Sequence, residues 1–395
     1  MEAYLDNSAT TKPLPSVVEI MTKVLTEDYG NPSSLHTKGI EAEKYIKNAR
    51  SIIAKTLRAK DKEIIFTSGG TEANNLAIRG TAEALKRQGN HIISTPMEHP
   101  SAGNPVEALK AAGYEVDYLS VDETGRVSEE EVKKLLREDT ILVSVMHVNN
   151  EIGTVQPVEE IGRVIRETAE INGWKKPYFH VDGIQSYAKI PVYPKEAGID
   201  LYTASGHKFH GLKGVGFLYA AEGTRLIAQN MGGGQESGMR SGTENVPGIA
   251  GMGVAAEEAF KDLNGNEEAL RRSRDLFLSK VSALPDVKIN GAAGQTGAAG
   301  ENAAPHIVSL TVKGVRSEVL LHSLEDKGIY VSAGSACSSH KRSVSPTLSS
   351  IGLSREDAES TVRFSFSRFT GEDEICYTLE VMEELLPMLR RFTRR

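Results

Sequence analysis

Cysteine is scarce: two residues, Cys337 and Cys376, in a chain of 395. A pair so few and so far spread excludes a disulfide-stapled scaffold and points to a reducing cytoplasm. Positive charge is not in excess. Lys and Arg total 46 against 53 Asp and Glu, a net of −7, so no broad nucleic-acid-binding face is expected. No apolar run approaches the roughly 20 residues of a membrane helix. The stretch Met1-Glu2-Ala3-Tyr4-Leu5-Asp6 is acidic and lacks a secretory pattern. What remains is 39% hydrophobic and 25% charged residues, the balance of a soluble globular protein with room for two domains.

Taken in order, residues 1–14 read as extended, and Pro15 opens a helix, since proline is tolerated in a first turn. Tyr45, Ala49, Ile52, Ile53 and Leu57 recur at helical spacing. Short apolar runs then alternate with helical segments: Ile64–Phe66, His91–Ser94, Tyr114–Leu119, Ile141–Met146 and Tyr178–Val181. That alternation predicts an α/β fold with a mostly parallel sheet covered on both faces. Polar residues follow the apolar runs, where open α/β sheets bind ligands. A helical region is expected from about Gly248 to Ala283. Its Gly251-Met252-Gly253 matches part of a dinucleotide fingerprint, but no strand precedes it, so it reads as close helix packing. Gly291 to Ala304 reads as a loop. Strands at Ile307–Val312, Ile329–Ser332 and Val362–Phe366 mark a smaller α+β domain from about residue 261.

Several stretches carry chemistry. Lys208 sits in Ser205-Gly206-His207-Lys208, between two strand-like runs. A lysine held there becomes a nucleophile toward carbonyls if burial or nearby cations lower its pKa, and His207 beside it offers a hydrogen bond or a charge. Ser68-Gly69-Gly70-Thr71 at a strand-to-helix turn suits one phosphate and lacks the lysine of a nucleotide loop; Thr71 as a plain helix cap is the alternative. Asp182 ends an apolar strand, where a carboxylate needs a partner such as a protonated pyridine nitrogen. His99 suits ring stacking or proton transfer, or is simply a hydrogen-bonded histidine. Arg363 suits a carboxylate, or else forms an edge-strand ion pair. Cys337 lies among small residues with His340, Lys341 and Arg342 nearby, which favours an accessible thiolate. Cys376, near Ile375 and Leu379, reads as helix packing. His207 and His210 lack the accompanying ligands of a metal site.

Together these motifs resemble the cysteine desulfurases of the NifS/IscS type, in the class V branch of the fold-type I pyridoxal-phosphate enzymes. The likeness runs from Tyr4-Leu5-Asp6-Asn7-Ser8-Ala9-Thr10-Thr11 through Met146-His147-Val148-Asn149-Asn150-Glu151 and His180-Val181-Asp182 to Gly334-Ser335-Ala336-Cys337 and Val362-Arg363-Phe364-Ser365. The resemblance implies a large cofactor-binding and dimerisation domain over 12–260. It implies a small α+β domain formed by 1–11 with 261–395, carrying the reactive-cysteine loop. It implies pyridoxal 5'-phosphate joined to Lys208 through an imine, with Asp182 on the pyridine nitrogen, Gln185 on the ring hydroxyl and His99 stacked on the ring. Gly70, Thr71, Ser205, Gly206 and His207 would hold the phosphate side, with Thr243 supplied by the other subunit of a homodimer. Asn150 and Arg363 would grip the carboxylate of L-cysteine. Lys208 would move a proton from Cα, and Cys337 would take the sulfur as a persulfide, releasing L-alanine. The sulfur would pass to an acceptor protein, an iron–sulfur scaffold or a thiolation enzyme. A selenocysteine lyase, another class V enzyme, or a subunit acting mainly by binding a scaffold are the alternatives. Pro100 stands where lysine is common in the family, Gly183-Ile184 where Ala-Thr is, and Leu212 where proline is.

Overall fold

The computed structural model describes residues 1–333 and 345–393. A short strand, β1 (Ala3–Tyr4), precedes the seven strands of the main sheet. These are β2 (Ile64–Thr67), β3 (His91–Ser94), β4 (Glu115–Tyr118), β5 (Thr140–Met146), β6 (Tyr178–Asp182), β7 (Leu201–Ser205) and β8 (Gly216–Ala220). Their spatial order is β2-β8-β7-β6-β5-β3-β4. Neighbours from β4 to β7 are parallel, and β8 is antiparallel to both of its neighbours. The sheet is therefore mixed and mostly parallel, as the sequence pattern predicts. Every position of β5 is buried, because it lies between β3 and β6 with both faces covered. The edge strand β4 keeps Glu115 exposed, and a charge there discourages pairing with another chain.

The opposite edge is protected differently. All four residues of β2 are buried, and its outer backbone meets side chains rather than a strand. Glu236 accepts from the Phe66 N–H at 2.9 Å, while Arg50 donates to the Ile64 carbonyl. Arg50 and Glu236 also pair bidentately, at 2.6 and 2.9 Å. Removing the buried carboxylate would strand an edge N–H and a half-buried guanidinium together. Glu236→Ala is therefore expected to lower stability by about 3 kcal/mol, read as a drop in denaturant midpoint at unchanged slope.

Four helices position the site or its supports: α1 (Pro15–Thr26), α2 (Thr37–Thr56), α3 (Gly70–Leu85) and α4 (Pro100–Ala111). α1 starts at the expected proline. The long helical region splits in two, 246–260 and 263–281, where Asp262 leaves helical geometry and caps the second piece through the Gly265 N–H. Gly253 in the first piece sits against α2: a Cβ there would lie 2.8 Å from the Ala49 Cβ. Close helix packing is the role of that glycine pair. The stretch read as a loop from 291 to 304 contains a 3-10 turn, Ala292–Gly294, and one short α-helix, Ala298–Glu301.

The second sheet is antiparallel, in the order β12-β13-β10-β9, from β9 (Val287–Asn290), β10 (Ile307–Val312), β12 (Ser332–Ala333) and β13 (Thr361–Ser365). The strand expected over 329–332 breaks at Val331. Its first half, β11 (Ile329–Tyr330), pairs with β1, and its second half becomes β12. Apolar side chains gather in two main cores. One holds Val143, Phe179 and Phe217 under the large sheet. The other holds Leu5, Phe277, Phe364 and Phe366. The segment after β1 runs along β13: Asn7 Nδ2 donates to the Ser365 carbonyl at 3.0 Å, and the Ser8 N–H to Ser365 Oγ at 2.8 Å.

Candidate active site

Because β3 through β7 run parallel, their carboxyl ends converge on one side of the sheet, where α/β folds open a crevice. Gly70 and Thr71 follow β2, His99 follows β3, Asn150 follows β5, Asp182 ends β6, and Ser205 to Lys208 end β7. Ser332 and Arg363 arrive from β12 and β13, and Ser8 and Ala9 from the segment after β1. All of these except Gly206 line one cavity of about 380 Å³, together with Gln185. Lys208 and Asp182 thus face the same space. Gly206 is buried beside it and not in its wall; a Cβ there would meet the Leu212 carbonyl at 3.0 Å, so this glycine serves the turn. Thr243 is exposed and outside this lining. Cys337, with His340, Lys341 and Arg342, lies outside the described residues.

Lys208 ends the short 3-10 turn after β7. Its Nζ donates to the carbonyls of Ser8 at 2.6 Å and Ala9 at 2.8 Å. The backbone beneath it is fixed by Lys189, whose Nζ donates to the Lys208 carbonyl at 2.9 Å. His207 is held down to about 4 by burial first and then by the charges of Lys208, Lys213 and Lys189. It is neutral at pH 7, so of the two roles open to it, a hydrogen bond stands and a positive charge does not. Its Nδ1 lies 3.2 Å from Thr10 Oγ1.

Lys189 is 7% exposed and is pulled down to about 7 by burial and by the charge of Lys208. An unfolded lysine keeps its proton up to about 10.5. Between these values the unfolded chain binds the extra proton, so this group's contribution to stability falls as pH drops from 10.5 toward 7. Lys189→Met removes that penalty. Its stability relative to wild type is expected to rise by about 2 kcal/mol from about pH 9 to about pH 7, measured by parallel denaturant titrations.

Asp182 is 1% exposed. Its Oδ1 accepts from the Ile184 N–H at 3.0 Å and its Oδ2 from Asn74 Nδ2 at 2.8 Å. Burial pushes its pKa up, while those bonds and the charge of Lys208 oppose the shift. Glu98 is pushed up to about 8 by burial and by the negative charge of Asp182, so it is a neutral acid at pH 7. It accepts through Oε1 from the Met146 N–H at 2.8 Å and from Thr95 Oγ1 at 2.9 Å. Keeping Glu98 protonated leaves the local negative charge on Asp182.

An edge-strand ion pair would leave Arg363 exposed. It is instead 6% exposed and sits in an interior strand, since β13 lies between β10 and β12. Its Nη2 donates to Asp6 Oδ1 and its Nη1 to the Asn150 carbonyl, both at 2.8 Å. Thr71 does not cap α3. That place belongs to Gly69 at φ +147°, a conformation that favours glycine, and Thr71 stands in the first turn facing the cavity.

The donor set suits a flat phosphorylated carbonyl compound with a protonated ring nitrogen. Asp182 is a buried carboxylate whose hydrogen-bond donors are neutral, and such a group is stabilised by a cation. The N-terminus of α3 supplies orphan N–H groups at Gly70 and Thr71, with the Ser205 hydroxyl beside them. The approach there is close: a Cβ on Gly70 would lie 2.2 Å from Ile184 Cδ1 and 3.6 Å from Ser205 Cβ. Lys208 has an amine that could meet the carbonyl.

Sheet and cavity together define an α/β enzyme chamber with Lys208 in its wall. The chain belongs to the aminotransferase class-V family, whose pattern matches residues 3–377, and that membership implies pyridoxal phosphate. It is 43% identical over 390 residues to a protein named cysteine desulfurase IscS from Dictyoglomus turgidum, covering 98% of this chain and 95% of that one. Among solved structures, a NifS-like protein superposes with a TM-score of 0.89 at 36% identity, covering 98% of this chain and 100% of that one. A structure of SspA in complex with cysteine gives 0.78 at 33% identity, covering 93% and 100%. Among the described residues no helix is long and apolar enough to cross a membrane.

Proposed function

We propose that this protein is a cysteine desulfurase that removes sulfur from L-cysteine and leaves L-alanine. The observation that carries the reading is that Lys208, Asp182 and Arg363, from three separate parts of the chain, line one cavity. Pyridoxal phosphate, when bound, supplies a carbonyl for amines and an electron-withdrawing ring that acidifies the substrate Cα. Lys208 would hold it and then carry the Cα proton. Asp182 would keep the ring nitrogen protonated, and Gln185 would meet the ring hydroxyl. Gly70, Thr71, Ser205 and His207 would take the phosphate, with Thr243 of one copy completing the cavity of a second in a homodimer. Arg363 and Asn150 would take the substrate carboxylate, setting its thiol at a fixed distance from the amine. Cys337 would receive the sulfur as a persulfide and hand it to an acceptor protein for iron–sulfur cluster assembly or thiolation. The two cores would be two domains, 12–260 and 1–11 with 261–395, placing the cysteine segment on the smaller one. A cytoplasmic setting would keep Cys337 reduced between turnovers.

The test is direct. Protein loaded with pyridoxal phosphate is mixed with L-cysteine, and alanine, sulfide and the mass of the Cys337 peptide are followed. Alanine release with a gain of one sulfur on that peptide is expected. Turnover of selenocysteine but not of cysteine would overturn the desulfurase assignment. A Cys337→Ser variant that transfers sulfur as well as wild type would overturn the relay.

A further inference from the structure

Ser101 and Asn74 belong to no role assigned so far, yet they join His99 to Asp182 by an unbroken series of hydrogen bonds. Asn74 Nδ2 lies 2.8 Å from Asp182 Oδ2 and 2.9 Å from Ser101 Oγ. Ser101 Oγ lies 2.7 Å from His99 Nδ1, and the Ser101 backbone N–H donates to the same nitrogen at 3.1 Å. Asn74 is fully buried, and Ser101 and Asp182 nearly so.

Counting hydrogens fixes every direction. An amide nitrogen has two, and Asn74 spends one on Asp182 and one on Ser101. The reversed amide would set Oδ1 against the Asp182 carboxylate, two acceptors with no proton between them. Ser101 Oγ therefore accepts from Asn74, and its own hydrogen goes to His99 Nδ1. The backbone N–H of Ser101 can only donate, so it independently requires a bare Nδ1. His99 is also the N-cap of α4, where the positive end of the helix dipole disfavours an imidazolium.

We infer that Asn74 and Ser101 are positioning residues that hold His99 as the neutral tautomer protonated on Nε2, so that it meets the occupant of the cavity as an N–H donor and not as a base. With Nε2 already protonated, Nδ1 is the nitrogen open to a second proton, and uptake there would break both Ser101 bonds and create a cation at a helix N-terminus. The charged groups facing the ring are Asp182 on β6, which favours the cation, and Lys208 after β7, which opposes it. Burial outweighs both and lowers the pKa of His99. Under the proposed function, the Cα proton then belongs to Lys208 and His99 contributes a fixed hydrogen bond. The inference rests on that reading only for this last step, because the tautomer is a property of the protein alone.

The tautomer is read by long-range proton–nitrogen NMR of ¹⁵N-histidine protein, as purified and after loading with pyridoxal phosphate, with His99→Gln identifying the resonance. Wild type is expected to show an unprotonated Nδ1 and a protonated Nε2 with no change between about pH 6 and pH 8. Ser101→Ala keeps the backbone N–H on Nδ1 but loses the hydroxyl bond, and is expected to raise the His99 midpoint by about one pH unit, while Ser101→Thr keeps the wild-type midpoint. A protonated Nδ1 in wild type overturns the inference, with no variant needed. So does a Ser101→Ala spectrum identical to wild type. A protein that releases no alanine from cysteine would sink the proposed function and leave the tautomer result standing.

Discussion

Lys208→Ala is expected to cut alanine formation from L-cysteine by at least about 10⁴-fold and to abolish covalent retention of pyridoxal phosphate. The size of the effect follows from the placement of this amine. It stands on a short turn held by β7 and β8, its backbone carbonyl is fixed by Lys189, and its nitrogen is aimed by the Ser8 and Ala9 carbonyls. Lys189 sits under the same turn, but its amine is spent on that carbonyl. Fold stability should change little, because the Lys208 side chain is half-buried and shares no apolar core. Alanine production, the mass of borohydride-reduced protein and the melting curve measure the three quantities. A reduced variant that still carries the cofactor mass would show that another group holds the carbonyl.

Arg363→Leu is expected to lower kcat/KM for L-cysteine by about 100-fold or more, mostly through KM. A buried guanidinium binds a carboxylate through parallel N–H bonds, and a substrate lacking that hold loses both affinity and alignment. Arg363→Lys is expected to recover little, since an ammonium cannot reproduce the planar fork that reaches Asp6 and the Asn150 carbonyl together. The measurement pairs steady-state kinetics with cysteine and with cysteamine, which has the amine and thiol but no carboxylate. If the variant loses as much on cysteamine as on cysteine, Arg363 acts through the fold and not on the carboxylate.

The sequence makes the strand-end residues legible for a physical reason. In a parallel sheet the carboxyl ends share one side, so polar residues that follow successive apolar runs must be neighbours in space. Asp182, Lys208, His99 and Gly70 fall to that rule. Residues that act through others do not. Ser101 is findable two places after His99, as a donor in the first turn of a helix that His99 caps. Asn74 lies four residues beyond Gly70, hence on the same helix face, which is a weaker cue. Lys189 gives no cue, since a lysine is exposed by default and only tertiary packing buries it. Glu236 closes the β2 edge from a partner 186 positions from Arg50, a pairing no local pattern encodes. The split of the helix at Asp262 and of the strand at Val331 likewise reflects which sheet or core each half joins.

The lysine's two carbonyl partners lie in the segment that follows β1, and that segment is tied to Ser365 across 358 positions of sequence. During synthesis those early residues leave the ribosome long before the strand they must pair with has been made. The reactive chamber is consequently among the last things to close, because contacts so distant in sequence form slowly. A chain truncated before β13 would lose the Ser365 bonds that help tie down the segment aiming Lys208.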